Sequence, residues 1–544
     1  MRKDRSQVFQ SFVLGLLAAG CSAAPPPASP DAVPPVVAKT SPATVPGAAP
    51  ASPRPKLVVL LVVDQLPSWT FERHVPFFRG GFARLAREGV FWTRGVYPYA
   101  ATITAIGHTA LSTGAEPHRS GIVGNSWWDR DDGRWVQSTD DGMMSTLPAQ
   151  PNDLGVSPRR RLVEAVGAGR RVLSLSYKAR SAAMMAPSTG AVVGWYEPRQ
   201  RAFVTSTAYS PERPAWLDIL AREHPIAPRL DFVWTPLETT PARALVGDRS
   251  AGEAGVYGLG TTFPHRLAET KKPEVAVGAT PLASDLLLEA VLAGLDAVNP
   301  ELLDVSFSSH DIAAHSWGQE SWEATDVLFR MDETIGKLLD ALDARYGKDG
   351  WSLVFSSDHG GPKMPEHTPG CLRGDLGEIT KVATAAAGGP KWISAMDERT
   401  IYLSPAARAL PDDARGKMLD SIVDSLKRIP AVGFAMRTDA FRANPDCTGL
   451  QELEALVCRS VYGDRSGDIY YGPREGSFLM KRPFDALFHG TPYEYDRNVP
   501  IVVREPGRAP GRIDDETPSV LRVAPTVARL LGAPAPPASR EPPL

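Results

Sequence analysis

Five short apolar runs constrain this chain more than any other feature. They lie at residues 57–63, 171–175, 302–307, 351–355 and 499–503. Each is nearly continuous rather than alternating, the pattern of a strand buried on both faces. Helical periodicity lies between them, at 82–88, 283–295, 321–346 and 411–427. The alternation predicts an α/β fold: a largely parallel central sheet with helices on both faces. Residues of about 183–280 and 372–482 are less regular, rich in Pro, Gly and Trp. They are expected to form insertions that cap the sheet edge. Trp127, Trp128, Trp195 and Trp234 are read first as core packing, with a pocket wall as the alternative.

Ahead of the first strand the composition changes. Of the 51 prolines in 544 residues, 11 crowd into residues 22–55 beside nine alanines and three charges. Such a segment buries too little apolar surface to offset its ordering entropy and reads as a semi-extended tether. Before it, Arg2, Lys3 and Arg5 precede an apolar run at 12–20, too short to span a bilayer. Residues 1–21 are therefore an expected export signal. The run ends Leu17-Ala-Ala-Gly-Cys21, similar to a bacterial lipoprotein cleavage box, which would make Cys21 the lipidated N-terminus. Ordinary cleavage near Ala23 or Ala24 is the alternative. The expected location is the periplasm or an outer-membrane anchor, or the medium, with membrane contact only through the lipid.

Export implies an oxidising compartment. Besides Cys21, the cysteines are Cys371, Cys447 and Cys458. Cys447 and Cys458 are the favoured disulfide, leaving Cys371 as a free buried thiol; other pairings stay open. With 59 basic and 62 acidic residues, bulk charge gives no reason to expect a nucleic-acid partner.

Chemically capable residues stand just past the strand ends: Asp64 after the first, Lys178 and Arg180 after the second, Asp311 after the third, Asp358 and His359 after the fourth. In open α/β sheets, ligands bind at the carboxyl ends of the strands, so these distant residues should converge. Asp311-Ile-Ala-Ala-His315 is an i, i+4 pair whose side chains share a helix face. Carboxylate plus imidazole at that spacing suits a divalent transition metal, zinc above all. Asp358-His359 is followed by Gly360-Gly361, which lets the backbone turn. Asp64, ending an apolar strand, needs a partner, since an unpaired buried charge is costly. His489 sits in a loop before the last strand. Thr104 is placed as the N-cap of a short helix beginning near Ala105 and ended by Gly114. A hydroxyl at a helix N-terminus lies where backbone N–H groups favour anions. His108, His310 and His367 are expected to be structural.

Together these segments resemble the alkaline phosphatase superfamily, in particular bacterial phosphate-irrepressible alkaline phosphatases with a threonine nucleophile. The shared pieces are Val63-Asp64, Thr104 in Thr-x-Thr-x-x-Gly-His, Gly121-Ile-Val-Gly-Asn125, Lys178-Ala-Arg180, Asp311-x-x-x-His315, Asp358-His359-Gly360 and His489-Gly490. Ala314 departs from the pattern, which often has Gly before the ligand His. The resemblance implies two zinc ions, one held by Asp311, His315 and His489, the other by Asp64, Asp358, His359 and the Thr104 oxygen. It implies that Asn125, Lys178 and Arg180 contact the phosphoryl group, and that Thr104 forms a phosphothreonine that water then hydrolyses. The expected partners are small phosphate monoesters, and a monomer is expected. The motifs run from Asp64 to His489, so residues 56–544 are read as one catalytic domain with insertions.

Two other readings compete. Related nucleotide pyrophosphatase/phosphodiesterases also use Thr and Asn but lack Lys-x-Arg; a monoester's extra charged oxygen calls for those cations. A non-catalytic lipoprotein could instead hold a phospholigand through the metal site.

Overall fold

The computed structural model describes residues 54–149, 155–443, 446–480 and 485–544. The export signal and nearly all of the tether lie outside the described residues. From residue 54 onward the chain clusters as one compact unit.

The main sheet is built on eight strands: β1 (Leu57–Val63), β2 (Val90–Val96), β3 (Val172–Ser176), β4 (Ala191–Glu197), β5 (Ala202–Ser206), β6 (Leu302–Phe307), β7 (Trp351–Ser356) and β8 (Asn498–Arg504). Their order is β2-β8-β7-β1-β6-β3-β4-β5, with the short strands Gly511–Ile513 and Thr146–Leu147 at the two edges. The run β7-β1-β6-β3-β4 is parallel. The strand expected at 499–503 is antiparallel to both neighbours, and β5 is antiparallel to β4. The sheet is thus mixed, parallel through its centre and again where the edge strand Gly511–Ile513 meets β2.

The helices that matter here are α1 (Thr104–Thr113), α2 (Ala179–Met185), α3 (Leu282–Val298), α4 (Ser309–Trp317), α5 (Trp322–Tyr346) and α6 (Val523–Leu531). Strand β1 shows why its run is unbroken. Leu57, Val59, Leu61 and Val63 pack in a core with α3 and α5. Val58, Leu60 and Val62 pack in a second core with α1, α2 and α6. Both faces are covered, so both parities must be apolar.

Neither insertion is as irregular as its composition suggested. The first supplies β4 and β5, which extend the main sheet. The second holds a separate four-stranded sheet, ordered Ile393–Met396, Thr400–Leu403, Ile469–Pro473, Val432–Arg437. Helices Leu376–Ala386 and Asp412–Lys427 cover it over a small core of Ile379, Ile401, Ile422, Leu426 and Ile469. Trp127, Trp195 and Trp234 are buried in core, as first read, while Trp128 is half-buried. Cys447 and Cys458 form the disulfide, but Cys371 is a half-buried rather than buried free thiol, in the loop ahead of the short strand Arg373–Asp375 and next to the exposed Leu372. Among the described residues no single helix is long and apolar enough to cross a membrane.

Candidate metal and phosphoryl site

The carboxyl ends of β1, β3, β6 and β7 lie side by side, with Val62 opposite Ser306 and Ser356, and Ser306 opposite Ser176. The residues that follow therefore meet at one edge. Asp64, Asp311 and Asp358 are all buried there, joined by His359 and His489.

Helix α1 brings in Thr104. Its N-cap is Ile103, so Thr104 is the first helical residue rather than the cap. That puts the hydroxyl 3.5 Å from Nε2 of His359. The helix packs very close to the strand end: a Cβ on Gly107 would lie 1.9 Å from the Asp358 carbonyl oxygen, so only glycine fits. Asn125 Oδ1 accepts the Ala105 N–H at 2.9 Å, which ties the asparagine to the start of α1.

Three imidazoles share one arrangement. Nδ1 of His315 donates to Leu487 O at 2.9 Å, that of His359 to Gly360 O at 2.9 Å, and that of His489 to Thr102 O at 2.8 Å. With the proton fixed on Nδ1, each Nε2 presents a lone pair toward the carboxylates. Nε2 of His315 and His489 lie 3.3 and 3.8 Å from Asp311 Oδ1. Nε2 of His359 lies 3.5 Å from Asp64 Oδ1 and 3.4 Å from Asp358 Oδ2. Asp64 Oδ1 and Asp358 Oδ2 are buried without a hydrogen bond.

This donor set fits divalent metal. Two groups converge tightly, Asp64-Asp358-His359 and Asp311-His359-His489. The first gathers the three side chains that the resemblance groups with the Thr104 oxygen around one ion. The second contains His359 where His315 was expected, because the His359 and His489 rings stack at 3.7 Å and bridge the halves.

The charges are mutually adjusted. Burial, then repulsion from Asp311 and Asp358, pushes the Asp64 carboxyl well above its usual range. Burial opposes ionisation of Asp311 too, but Lys178 and then His315 outweigh it and hold that carboxyl well below the usual range. Burial, with His359 and His315 nearby, holds the His489 imidazole neutral. Burial likewise lowers His359. Nζ of Lys178 lies 2.6 Å from Asp64 Oδ2 and also contacts Asp311 Oδ2. Arg180, at the start of α2, has a buried Nε with no hydrogen-bond partner.

Three further histidines that could be mistaken for ligands make structural bonds instead. His108 bonds Thr104 O and Ser306 Oγ, and lies 3.2 Å from Asp358 Oδ2. His310 bonds Gln65 O. His367 bonds Glu320 and Ser250, away from the cluster. Gln65 was missed: its backbone N–H donates to Asp358 Oδ1 at 3.0 Å from a left-handed turn at φ 59°. Its position right after the strand-end Asp64 was the available signal.

Residues 58–492 match the family described as type I phosphodiesterase / nucleotide pyrophosphatase. The chain belongs to this family. Within it, the chain is similar to alkaline phosphatase PhoV of Synechococcus elongatus, 28% identical over 88% of this chain and 90% of the relative. It is similar to alkaline phosphatase PafA of Elizabethkingia meningoseptica, 26% identical over 88% of this chain and 92% of the relative. The crystal structure of wild-type PafA superimposes with a TM-score of 0.83 at 25% identity, covering 91% of this chain and 99% of that one. The fold is thus that of an alkaline phosphatase of this family.

Proposed function

We propose that this protein is an exported, zinc-dependent alkaline phosphatase that hydrolyses small phosphate monoesters and releases inorganic phosphate. The observation that carries the choice of monoester is the pair Lys178 and Arg180 just past the end of β3, one cation on the carboxylate cluster and one guanidinium with no ion pair among the described residues and a buried, unbonded Nε. A monoester's non-bridging oxygens carry more charge than a diester's. A point-charge ammonium and a planar guanidinium suit them.

Asp311, His315 and His489 would hold one ion; Asp64, Asp358, His359 and the Thr104 oxygen would hold the other. Bound there, the ions would supply Lewis-acid stabilisation of the attacking and leaving oxygens. Thr104 Oγ1 is the nucleophile: its bond to phosphorus forms as the ester oxygen leaves, giving a phosphothreonine that water cleaves to phosphate. Helix α1 aims its N-terminal N–H groups at the incoming anion. Asn125, its Oδ1 already committed to Ala105, keeps Nδ2 free to donate to a phosphoryl oxygen. Phosphoryl transfer depends chiefly on such positioning and charge stabilisation. Residues 1–21 would direct export, with Cys21 lipidated. Residues 22–55 would tether residues 56–544, one catalytic domain, outside the cytoplasm as a monomer.

A second reading, a phosphodiesterase, is favoured by the description of the matched family. Steady-state hydrolysis of an aryl phosphate against a bis-aryl phosphate by the zinc-loaded protein decides between them. The proposal expects efficient monoester turnover, abolished by chelator and by Thr104→Ala. Preference for the diester overturns it, and no turnover of either substrate points to a binding protein.

A further inference from the structure

The segment carrying His489 is gripped at both ends by charged side chains that sequence reading did not single out. On its N-terminal side, Arg373 Nη1 donates to Asp485 O at 2.9 Å and Nη2 to Ala486 O at 2.8 Å. Nη2 also donates to Gly252 O at 3.2 Å, and Glu366 takes a bidentate pair from the same guanidinium. On its C-terminal side, Asp496 Oδ2 accepts from Gly490 N at 3.0 Å, Thr491 N at 2.9 Å and Thr491 Oγ1 at 2.7 Å. Gly490 has φ 105°, a turn that those bonds hold in place.

The gripped segment does more than carry His489. Ala486 N donates to His315 O at 2.7 Å, and Leu487 O accepts from His315 Nδ1. Ala486 and Leu487 pack on Met364 in a small buried cluster. A shift of residues 485–491 would therefore misplace Nε2 of His489 and release the tautomer-fixing bond of His315 together. Both imidazoles face Asp311.

We propose that Arg373 and Asp496 are positioning residues that clip the 485–491 segment and so set the metal affinity of the Asp311-His315-His489 half of the site. The proposal rests on the reading that these three residues hold a metal. Arg373 touches neither substrate nor metal; it acts through backbone carbonyls. It stands in the second insertion, on a short strand paired with Phe478–Met480, so the insertion that caps the sheet also sets a ligand.

The test is zinc titration against a competing chelator, with cobalt(II) absorption spectra as a report of ligand geometry. Wild type should take up two ions. Arg373→Ala should weaken one of them about 10–100-fold, the usual effect of losing an outer-shell partner, and leave the other unchanged. Arg373→Lys, which keeps one donor, should fall between, and it serves if the alanine variant does not fold. Asp496→Ala should weaken the same ion. The discriminating step is a double-mutant cycle: in His489→Ala, Arg373→Ala should cost clearly less than it does in wild type, since only the His315 arm of the clip is left to disturb. Both ions binding as in wild type, with only the melting temperature lowered, would overturn the clip, as would an equal loss with and without His489. If wild type takes up fewer than two ions, the reading beneath the proposal fails first, and the clip falls with it.

Discussion

Half-buried Lys178 forms an ion pair with buried Asp64, Nζ to Oδ2 2.6 Å, across strands β3 and β1, which are separated by β6. The same ammonium reaches Asp311. It thus joins one carboxylate from each proposed metal set. Its charge stands where three buried aspartates would otherwise repel one another, which explains why Lys178 stays protonated although burial opposes it. The cation expected to meet phosphate is, in this arrangement, the internal counter-ion of the ligand cluster.

That pairing makes Lys178→Met a test of charge balance. Removing one member of a buried ion pair costs about 3–5 kcal/mol when nothing replaces it. The melting temperature should fall sharply in chelator and much less with saturating zinc, because the metal supplies the missing charge. Thermal melts under both conditions check this. An equal fall in both would show that Lys178 stabilises by packing.

Asn125→Asp separates holding α1 from holding substrate. The acceptor that takes the Ala105 N–H survives, while the Nδ2 donor is exchanged for a carboxylate oxygen. Stability should change little. Monoester kcat/KM should fall about 10²–10³-fold, as when one preorganised donor to a developing anion is lost. A large stability loss with unchanged kinetics would make Asn125 a helix tie alone.

Lys178→Ala and Arg180→Ala should distinguish substrate classes. A hydrogen bond to a charged group contributes about 1.5–3 kcal/mol, so each change should lower monoester kcat/KM about 10–100-fold. The loss on a bis-aryl phosphate should be clearly smaller, since that substrate has one fewer charged oxygen. Equal losses on both would remove the monoester role of the pair.

Much of this site is legible in the sequence, for a local reason. A continuous apolar run followed at once by Asp64, Asp311 or Asp358 announces a strand end, and a parallel sheet aligns strand ends. The i, i+4 spacing of Asp311 and His315 needs only a helix. What stays hidden depends on contacts between segments far apart in the chain. Nothing near residue 373 signals that its guanidinium meets the carbonyls of Asp485 and Ala486, more than 110 residues on. The antiparallel direction of β8 is hidden likewise, since a buried run reads the same either way. The second insertion looked irregular because its strands are only three to six residues long, several of them containing Gly or Pro.

Glu253 gives a pH dependence remote from the ligands. Both its carboxyl oxygens are buried without a hydrogen bond. Burial, then the neighbouring carboxylate of Glu323, pushes it up to about 8; Asp248 adds to the repulsion. Glu323 is itself buried and bonded to His265 Nε2 at 2.9 Å. The sign follows from the raised value. Between its ordinary value of 4.5 and about 8, the folded protein keeps a proton that the unfolded chain has released, so stability falls as pH rises through that window. Glu253→Gln imitates the protonated form and removes the loss. It should melt like wild type near pH 5 and a few degrees higher above pH 8. Melting curves from pH 5 to 9 check it, and a variant that runs parallel to wild type throughout would show that Glu253 ionises freely in the folded state.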